Sequence, residues 1–468
     1  MKVLMAASEV APIVKIGGLG DVIGSLPKAL EKLDVNVDVA VPFYPSAKTE
    51  KLKVYKALEL EVPFDGKSNH VEVHKTKLPD SNVDVLLFKN LEYFSIGGVN
   101  AFRNDQSETE MFSFFSRAVV EYVKSQYNTY DLIHCHDWHT GLVTQILNEE
   151  FHDERPATLF TVHNLNYQGR SEVELVRELG FSPGSHPMID YDIRDGDLNL
   201  LYQGITTADF VSTVSETYAE EIKTAEFGDG MAETLQERKD VLAGIVNGVD
   251  YSFFPRDFKK SDWEKKKAQH KEGLGKELGL DKSDKPMFSF ISRLDPGQKG
   301  LDILYVSLPH ILDNGGQFVL LGTGEKSWEE KFEQLAEEPK YQGNLSINIK
   351  FSVDLANNIY SASDFFFVPS KYEPCGLTQM IAMHYGTPPI VRGVGGLKDT
   401  VDDGEDGFVF KDYSSLSLNK AIDKAFRLFE NKEEYKTMVE KCLAKDFSWA
   451  KSAKKYKELY EKVINSRR

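Results

Sequence analysis

Three histidines, a cysteine and an aspartate stand within the six residues of HCHDWH, His134 to His139. Imidazole, thiolate and carboxylate are the groups that hold zinc. The metallo-hydrolase pattern H-x-H-x-D-H, however, needs its aspartate directly before the last histidine. Trp138 occupies that place and Asp137 comes one residue early. An aspartate displaced by one position points elsewhere, so the ligand set is incomplete and no metal is expected there.

Other segments carry groups suited to an anionic or polyhydroxylated ligand. SEVAPIVKIGGLGDV places Lys15 before Gly17, Gly18 and Gly20, with a helix expected from about Asp21. Glycines at a helix start let backbone amides approach an anion, although this spacing is neither G-x-G-x-x-G nor a Walker loop, and a plain turn explains it equally well. ISRLDPGQKGLDIL sets Arg293 and Lys299 in one loop, two cations suited to charge developing on a diphosphate leaving group; solvated loop charges are the alternative. PSKYEPCGLTQMIAMHYGTPPIV puts Glu373 just outside a helix entered through Pro374, Cys375 and Gly376. Glu373 could accept sugar hydroxyls or simply complement the helix dipole, and Cys375 could be a small buried filler. TVHNLNYQG ends a strand at His163. DYDIRDGD (190–197) reads as an acidic surface loop, and DDGEDG (402–407) as a turn, since Tyr413 stands where a calcium loop needs its final glutamate.

Positioning these groups requires strands whose carboxyl ends open into loops. Runs such as KVLMA, VNVDVAV, DLIHC, ATLFTV, FVSTVS and AGIVNG recur in the first half, and MFSFIS, QFVLLG, INIKF, DFFFVPS, TPPIVRG and GFVF in the second. Continuous apolar strands alternating with amphipathic stretches predict parallel sheets covered on both faces. Two such series predict an α/β protein with two doubly wound, Rossmann-like domains facing a cleft, with ligands beyond the strand ends. The boundary falls near Asp250, before a charged strand-free stretch from Ser261 to Pro286, giving domains 1–250 and 251–448. From Trp449 to the last residue, 468, the spacing of Ala453, Tyr456, Leu459, Tyr460 and Val463 predicts an amphipathic helix.

A length of 468 residues agrees with more than one domain, and 41% hydrophobic and 28% charged residues indicate a globular chain. A net charge of −17 argues against a nucleic-acid partner. Three separated cysteines, Cys135, Cys375 and Cys442, do not make a disulfide framework. Glu9 interrupts any secretory apolar run and no stretch is long enough to span a membrane, so a soluble cytoplasmic protein is expected.

Taken in order, KIGGLGDVIGSLPKAL, HCHDWHTGL, TVHNLNYQG, TVSETYAEEI, EFGDGM, IVNGVD, RLDPGQKGLDIL, PSKYEPCGLTQMIAMHYGTPPIVRGVGGLKDTV and DFSWAKSAKKY resemble the bacterial glycogen synthase and plant starch synthase family across nearly the whole chain. The resemblance implies the GT-B fold, with the terminal helix packing back on the N-terminal domain. It also implies glucosyl transfer from ADP-glucose, less often UDP-glucose, to the non-reducing end of an α-1,4-glucan, with retention and no metal or other cofactor. By the same resemblance Lys15, Gly17 and Gly18 would face the donor, and Asp137 and His163 would line the glucosyl pocket. Arg293 and Lys299 would stabilise the diphosphate. Glu373, with the amides of Cys375, Gly376 and Leu377, would hold the transferred glucose. Thr378 would lie near the phosphates or ribose, Asn247 on the interdomain side, and Phe351 where a ring stacks on adenine. The chain departs from the family pattern at Ile16, at SETEMF (107–112), at Tyr202, and in a 293–299 loop one residue longer. Those departures keep two alternatives in view: a related GT-B transferase with another nucleotide sugar or a small acceptor, and a glucan-binding protein without turnover.

Overall fold

A computed structural model describes residues 1–95, 106–151, 154–182, 184 and 186–467. Every candidate site residue named above lies within them. The chain divides into two compact units, Met1–Gly248 with Trp449–Arg468, and Val249–Ser448.

In the first unit the strands are β1 (Lys2–Ala6), β2 (Asn36–Pro42), β3 (Tyr55–Phe64), β4 (Lys67–Lys77), β5 (Asp84–Lys89), β6 (Leu132–His136), β7 (Ala157–Val162), β8 (Arg170–Ser171), β9 (Leu198–Asn199), β10 (Phe210–Thr213) and β11 (Leu242–Gly244). Nine of them form one sheet in the order β11-β10-β7-β6-β1-β2-β5-β4-β3. From β11 to β5 every pairing is parallel. The apolar run of β1 explains its place at the centre, since Val3 to Ala6 are wholly buried. The chain leaves β1 toward β2 and returns on its other side at β6. The switch point therefore lies between β1 and β6, and the loops after these strands carry Lys15 and Asp137.

The parallel sheet of the first unit carries an antiparallel extension at one edge. β3 and β4 form an antiparallel hairpin that extends the sheet through β5. Its turn is Asp65–Gly66, both at positive φ (51° and 67°), the two-residue geometry whose twist suits a hairpin. The alternation in KALELEVPF and HVEVHKTK carried this signal, but it is a weaker pattern than a continuous apolar run.

The second unit holds β12 (Met287–Ile291), β13 (Gln317–Gly322), β14 (Leu345–Ile349), β15 (Phe365–Val368), β16 (Pro389–Arg392) and β17 (Phe408–Phe410). All pair in parallel in the order β14-β13-β12-β15-β16-β17. This is the doubly wound order, with its switch point between β12 and β15. The loops after those two strands carry Arg293 and Lys299 on one side and Glu373 on the other. The charged stretch after Ser261 forms the helix Trp263–Leu278 in this unit.

The terminal helix Trp449–Ser466 packs into the first unit. Ala453, Tyr456, Tyr460 and Val463 are fully buried there, and burial of each large side chain contributes about 1.5–3 kcal/mol. Polar contacts fix its register: Ser452 Oγ donates to Val246 O at 2.6 Å, and Lys457 Nζ to Leu33 O at 2.9 Å.

Candidate active site

In the second unit the two loops at the switch point are laced together. Lys371 N donates to Gln298 O at 2.7 Å. Gly300 has a φ of 69°, and a Cβ there would lie 2.1 Å from Pro369 O, so only glycine lets the loops approach this closely. The approach brings Lys299 Nζ within 2.8 Å of Glu373 Oε2. Ser370 Oγ donates to the same oxygen at 2.8 Å. Glu373 is buried, and its carboxylate is held by these two side chains, one from each loop. A concavity opens beside the pair, lined by Ser292, Lys299, Ser370, Glu373, Gly376, Leu377 and Thr378.

Cys375 is buried, and Gly376 turns the chain at φ 71° into the helix Thr378–His384; a Cβ on Gly376 would meet Gln379 Oε1 at 2.5 Å. Arg293 is exposed on the preceding loop and makes no ion pair among the described residues, which leaves its guanidinium open to an anion. Phe351 follows β14 with 86% of its surface exposed, a free aromatic face rather than a core residue.

In the first unit a separate group of candidate residues comes from the loops after β1, β6 and β7. The helix expected from Asp21 begins earlier, at Gly18, with Gly17 as its N-cap. The cause is Glu9. Its buried carboxylate accepts from Ile16 N at 2.5 Å and from Gly17 N at 3.0 Å, and the Gly20 amide also favours its charge. An internal anion thus occupies amides that the sequence offered to a ligand, while the space beside Gly18 stays open. Burial raises the Glu9 carboxyl above its ordinary range. Lys15 pairs with Asp21 at 2.7 Å and is half exposed.

Asp137 has φ 58° and ψ 177°, a conformation costly for any residue with a side chain. It holds this turn because its N–H donates to Thr161 O at 2.9 Å and its Oδ1 accepts from His163 N at 2.7 Å. Burial pushes its carboxyl up to about 7 against the opposing pull of the His163 and Asn164 amides, and Glu9 adds to the rise. His163 is half-buried and held down to about 3 by burial, so its ring is neutral at physiological pH. Its Nε2 lies 3.0 Å from His136 Nδ1. Asn247 is buried, with an Oδ1 that has no hydrogen-bond partner among the described residues.

The first unit therefore gathers Glu9, Asp137 and His163, and the second gathers Lys299, Glu373, Gly376, Leu377 and Thr378. Sequence reasoning missed Glu9, Ser370 and His136 as site residues. Glu9 and Ser370 stand just beyond strand ends, where ligand-binding loops were expected, so their position was the available signal.

The remaining histidines of HCHDWH are buried groups. His134 contacts Tyr460 OH at 2.8 Å and Thr161 Oγ1 at 2.6 Å, and the ring of His139 stacks on Trp138. Among the described residues, Glu59, His70 and Glu72 on the β3–β4 hairpin come close enough to share an ion. Lys56 already pairs with Glu59, and Lys89 lies 2.9 Å from Glu72. DDGEDG is a turn whose Asp402 and Asp406 both pair with Lys445 at 2.7 Å. DYDIRDGD is not wholly a surface loop, because Asp192 is buried and accepts from Asn199 N at 3.0 Å and Gln203 Nε2 at 2.7 Å.

Comparison with known proteins adds independent findings. Residues 2–237 match the family model for the starch synthase catalytic domain, and residues 276–442 match that for glycosyl transferases group 1. A glycogen synthase of Kosmotoga olearia is 40% identical over 482 residues, spanning 100% of this chain and 99% of its own length. One from Fervidobacterium nodosum is 40% identical over 492 residues and 99% of each chain. Among solved structures, the catalytic domain of starch synthase IV from Arabidopsis thaliana, bound to ADP and acarbose, superposes with a TM-score of 0.88 at 32% identity over 99% of each chain. Sucrose-phosphate synthase from Thermosynechococcus elongatus, at 20% identity and a TM-score of 0.64, shares the fold.

Proposed function

This chain belongs to the glycogen and starch synthase family of GT-B glycosyltransferases, and we propose that it transfers glucose from ADP-glucose to the non-reducing end of an α-1,4-glucan with retention of configuration. The observation that carries the reading is the Lys299–Glu373–Ser370 cluster at the switch point of the second sheet. Breaking the bond between the sugar and the diphosphate concentrates negative charge on phosphate oxygens. Lys299 and the open guanidinium of Arg293 supply cations there, in the role that a divalent ion fills elsewhere. Glu373, beside the entry of the Thr378–His384 helix, accepts glucose hydroxyls, while Gly376, Leu377 and Thr378 line the same concavity. Exposed Phe351 offers a face to the adenine.

In the first unit, Asp137 and neutral His163 contribute a hydrogen-bond acceptor and a ring nitrogen to the glucosyl and acceptor side. A histidine held down to about 3 is a poor proton acceptor at neutral pH, so His163 serves as a hydrogen-bonding group, and a front-face transfer in which the leaving phosphate takes the acceptor's proton belongs to the same reading. Lys15, Gly18 and Asn247 complete the donor side of this reading. A cytoplasmic location belongs to the same reading; among the described residues no helix is long and apolar enough to cross a membrane.

Tyr202, whose ring stacks with that of Tyr191 at 6.2 Å where the family carries lysine, motivates the second reading, a different donor or a small acceptor. A competition assay with equimolar ADP-glucose and UDP-glucose, differently labelled and offered with glycogen, separates the readings. Preferential incorporation from ADP-glucose supports the proposal. Preference for UDP-glucose overturns the donor assignment, and binding without incorporation from either donor overturns the enzyme.

A further inference from the structure

We propose that His136 is a positioning residue for His163, fixing it in a single tautomer so that only its Nδ1 edge is offered to the glucosyl pocket; the catalytic consequence rests on the reading of that pocket given above. His136 is the last residue of β6 and is fully buried. Its backbone N–H donates to Thr140 Oγ1 at 2.7 Å, and its ring packs against His134 with centroids 4.0 Å apart, so the imidazole has little freedom. Its Nδ1 lies 3.0 Å from His163 Nε2. His163 is held at a second point, since its backbone N–H donates to Asp137 Oδ1 at 2.7 Å.

Two neutral imidazoles joined by one hydrogen bond share one proton in it. A buried ring nitrogen without a partner costs less as a bare lone pair than as an unpaired N–H, so His136 carries its proton on Nδ1 and donates it to His163 Nε2, which leaves the proton of His163 on Nδ1. Both rings are kept neutral by burial. His136 Nε2 is buried and has no hydrogen-bond partner among the described residues, so the pair ends there and cannot pass a proton onward. His163 therefore works as an oriented, neutral hydrogen-bonding group rather than as the end of a proton relay. Without His136 its Nε2 would face an empty space, and ring flips and tautomer exchange would become accessible. A small loss of orientation at a reacting centre costs about 10- to 100-fold in rate.

The test is long-range 1H–15N NMR of the imidazole nitrogens in the full chain without donor or acceptor, together with kcat and KM. The wild-type protein should show His163 as one tautomer. His136→Leu should show both tautomers and lose kcat about 10- to 100-fold with little change in donor KM. His136→Asn, which keeps a polar group near the Nδ1 position, should recover a single tautomer and most of the lost kcat. Two tautomers in the wild-type protein overturn the proposal without any variant. So does a folded His136→Leu that keeps one tautomer or the wild-type kcat. Because the tautomer is read without substrate, failure of the transferase assignment would leave this part standing, and the two failures are distinguishable.

Discussion

Lys299 Nζ lies 2.8 Å from Glu373 Oε2, across the switch point between β12 and β15. The pair joins the cation assigned to the diphosphate to the carboxylate assigned to the sugar. Glu373 is buried and Lys299 is largely so, which makes each the other's counter-charge. Lys299→Ala and Glu373→Ala should each reduce kcat by about 10²- to 10³-fold while circular dichroism remains native. The double variant should lose less than the product of the two single losses, because the groups act as a unit. Near-wild-type turnover in either single variant would show that residue to be dispensable for catalysis, and strictly multiplicative losses would show that the two groups act independently.

Glu9 organises the glycine turn. Its carboxylate holds the Ile16 and Gly17 amides, so Glu9→Ala leaves two half-buried donors without this partner, at a cost of up to about 1–3 kcal/mol. If the turn faces the donor, the variant should also raise donor KM at a temperature where it is fully folded. Chemical denaturation and initial-rate kinetics measure the two effects separately. A stability loss with unchanged KM would place Glu9 in the fold alone.

The pKa of Asp137 gives a pH-dependent prediction. Its folded value of about 7 lies above the ordinary 3.8, so the native state retains a proton that the unfolded chain releases. The stability this proton contributes is full below about pH 4 and lost as pH rises through 7. Asp137→Asn should therefore be more stable than wild type at pH 8, by a few kcal/mol, since each tenfold change in proton affinity is worth about 1.4 kcal/mol. The gap should close toward pH 4. Urea melts at both pH values check this, and an Asn variant that is less stable at pH 8 would contradict it.

The buried histidines act in the opposite direction. His139 and His163 are held down to about 3, and His134 and His136 well below 6.5, so the unfolded chain binds protons that the native state refuses. Their contribution to stability is present above pH 6.5 and is lost as the pH falls toward 3. Each histidine adds a slope of up to about 1.4 kcal/mol per pH unit, partly offset by protons gained at Asp137 and Glu9. Denaturation midpoints at pH 7.5, 6 and 5 should decline steadily, and a flat series would rule out the histidine account.

The parallel core was legible because runs such as VLMA and FFFV are apolar on both faces, a pattern that few other arrangements bury. The terminal helix was legible in the same way, through the spacing of Tyr456, Tyr460 and Val463. The β3–β4 hairpin was not, since its half-exposed strands alternate and only the Asp65–Gly66 pair marks the turn between them. The site was legible in its residue types and at its strand ends, but not in its pairings. Nothing in the sequence says that Glu9 occupies the glycine amides, that Ser370 shares Glu373 with Lys299, or that His136 reaches His163. Those contacts depend on which loops the sheet order brings together, which spacing along the chain does not encode.

The most direct measurement of the central claim is a chain-extension assay of the purified protein with ADP-glucose and maltohexaose, with EDTA present, followed by mass spectrometry and β-amylase digestion. Products should form a ladder one glucose apart, undiminished by EDTA and degraded completely by β-amylase, as α-1,4 linkages require. No extension from ADP-glucose, a ladder abolished by EDTA, or products resistant to β-amylase would contradict the claim.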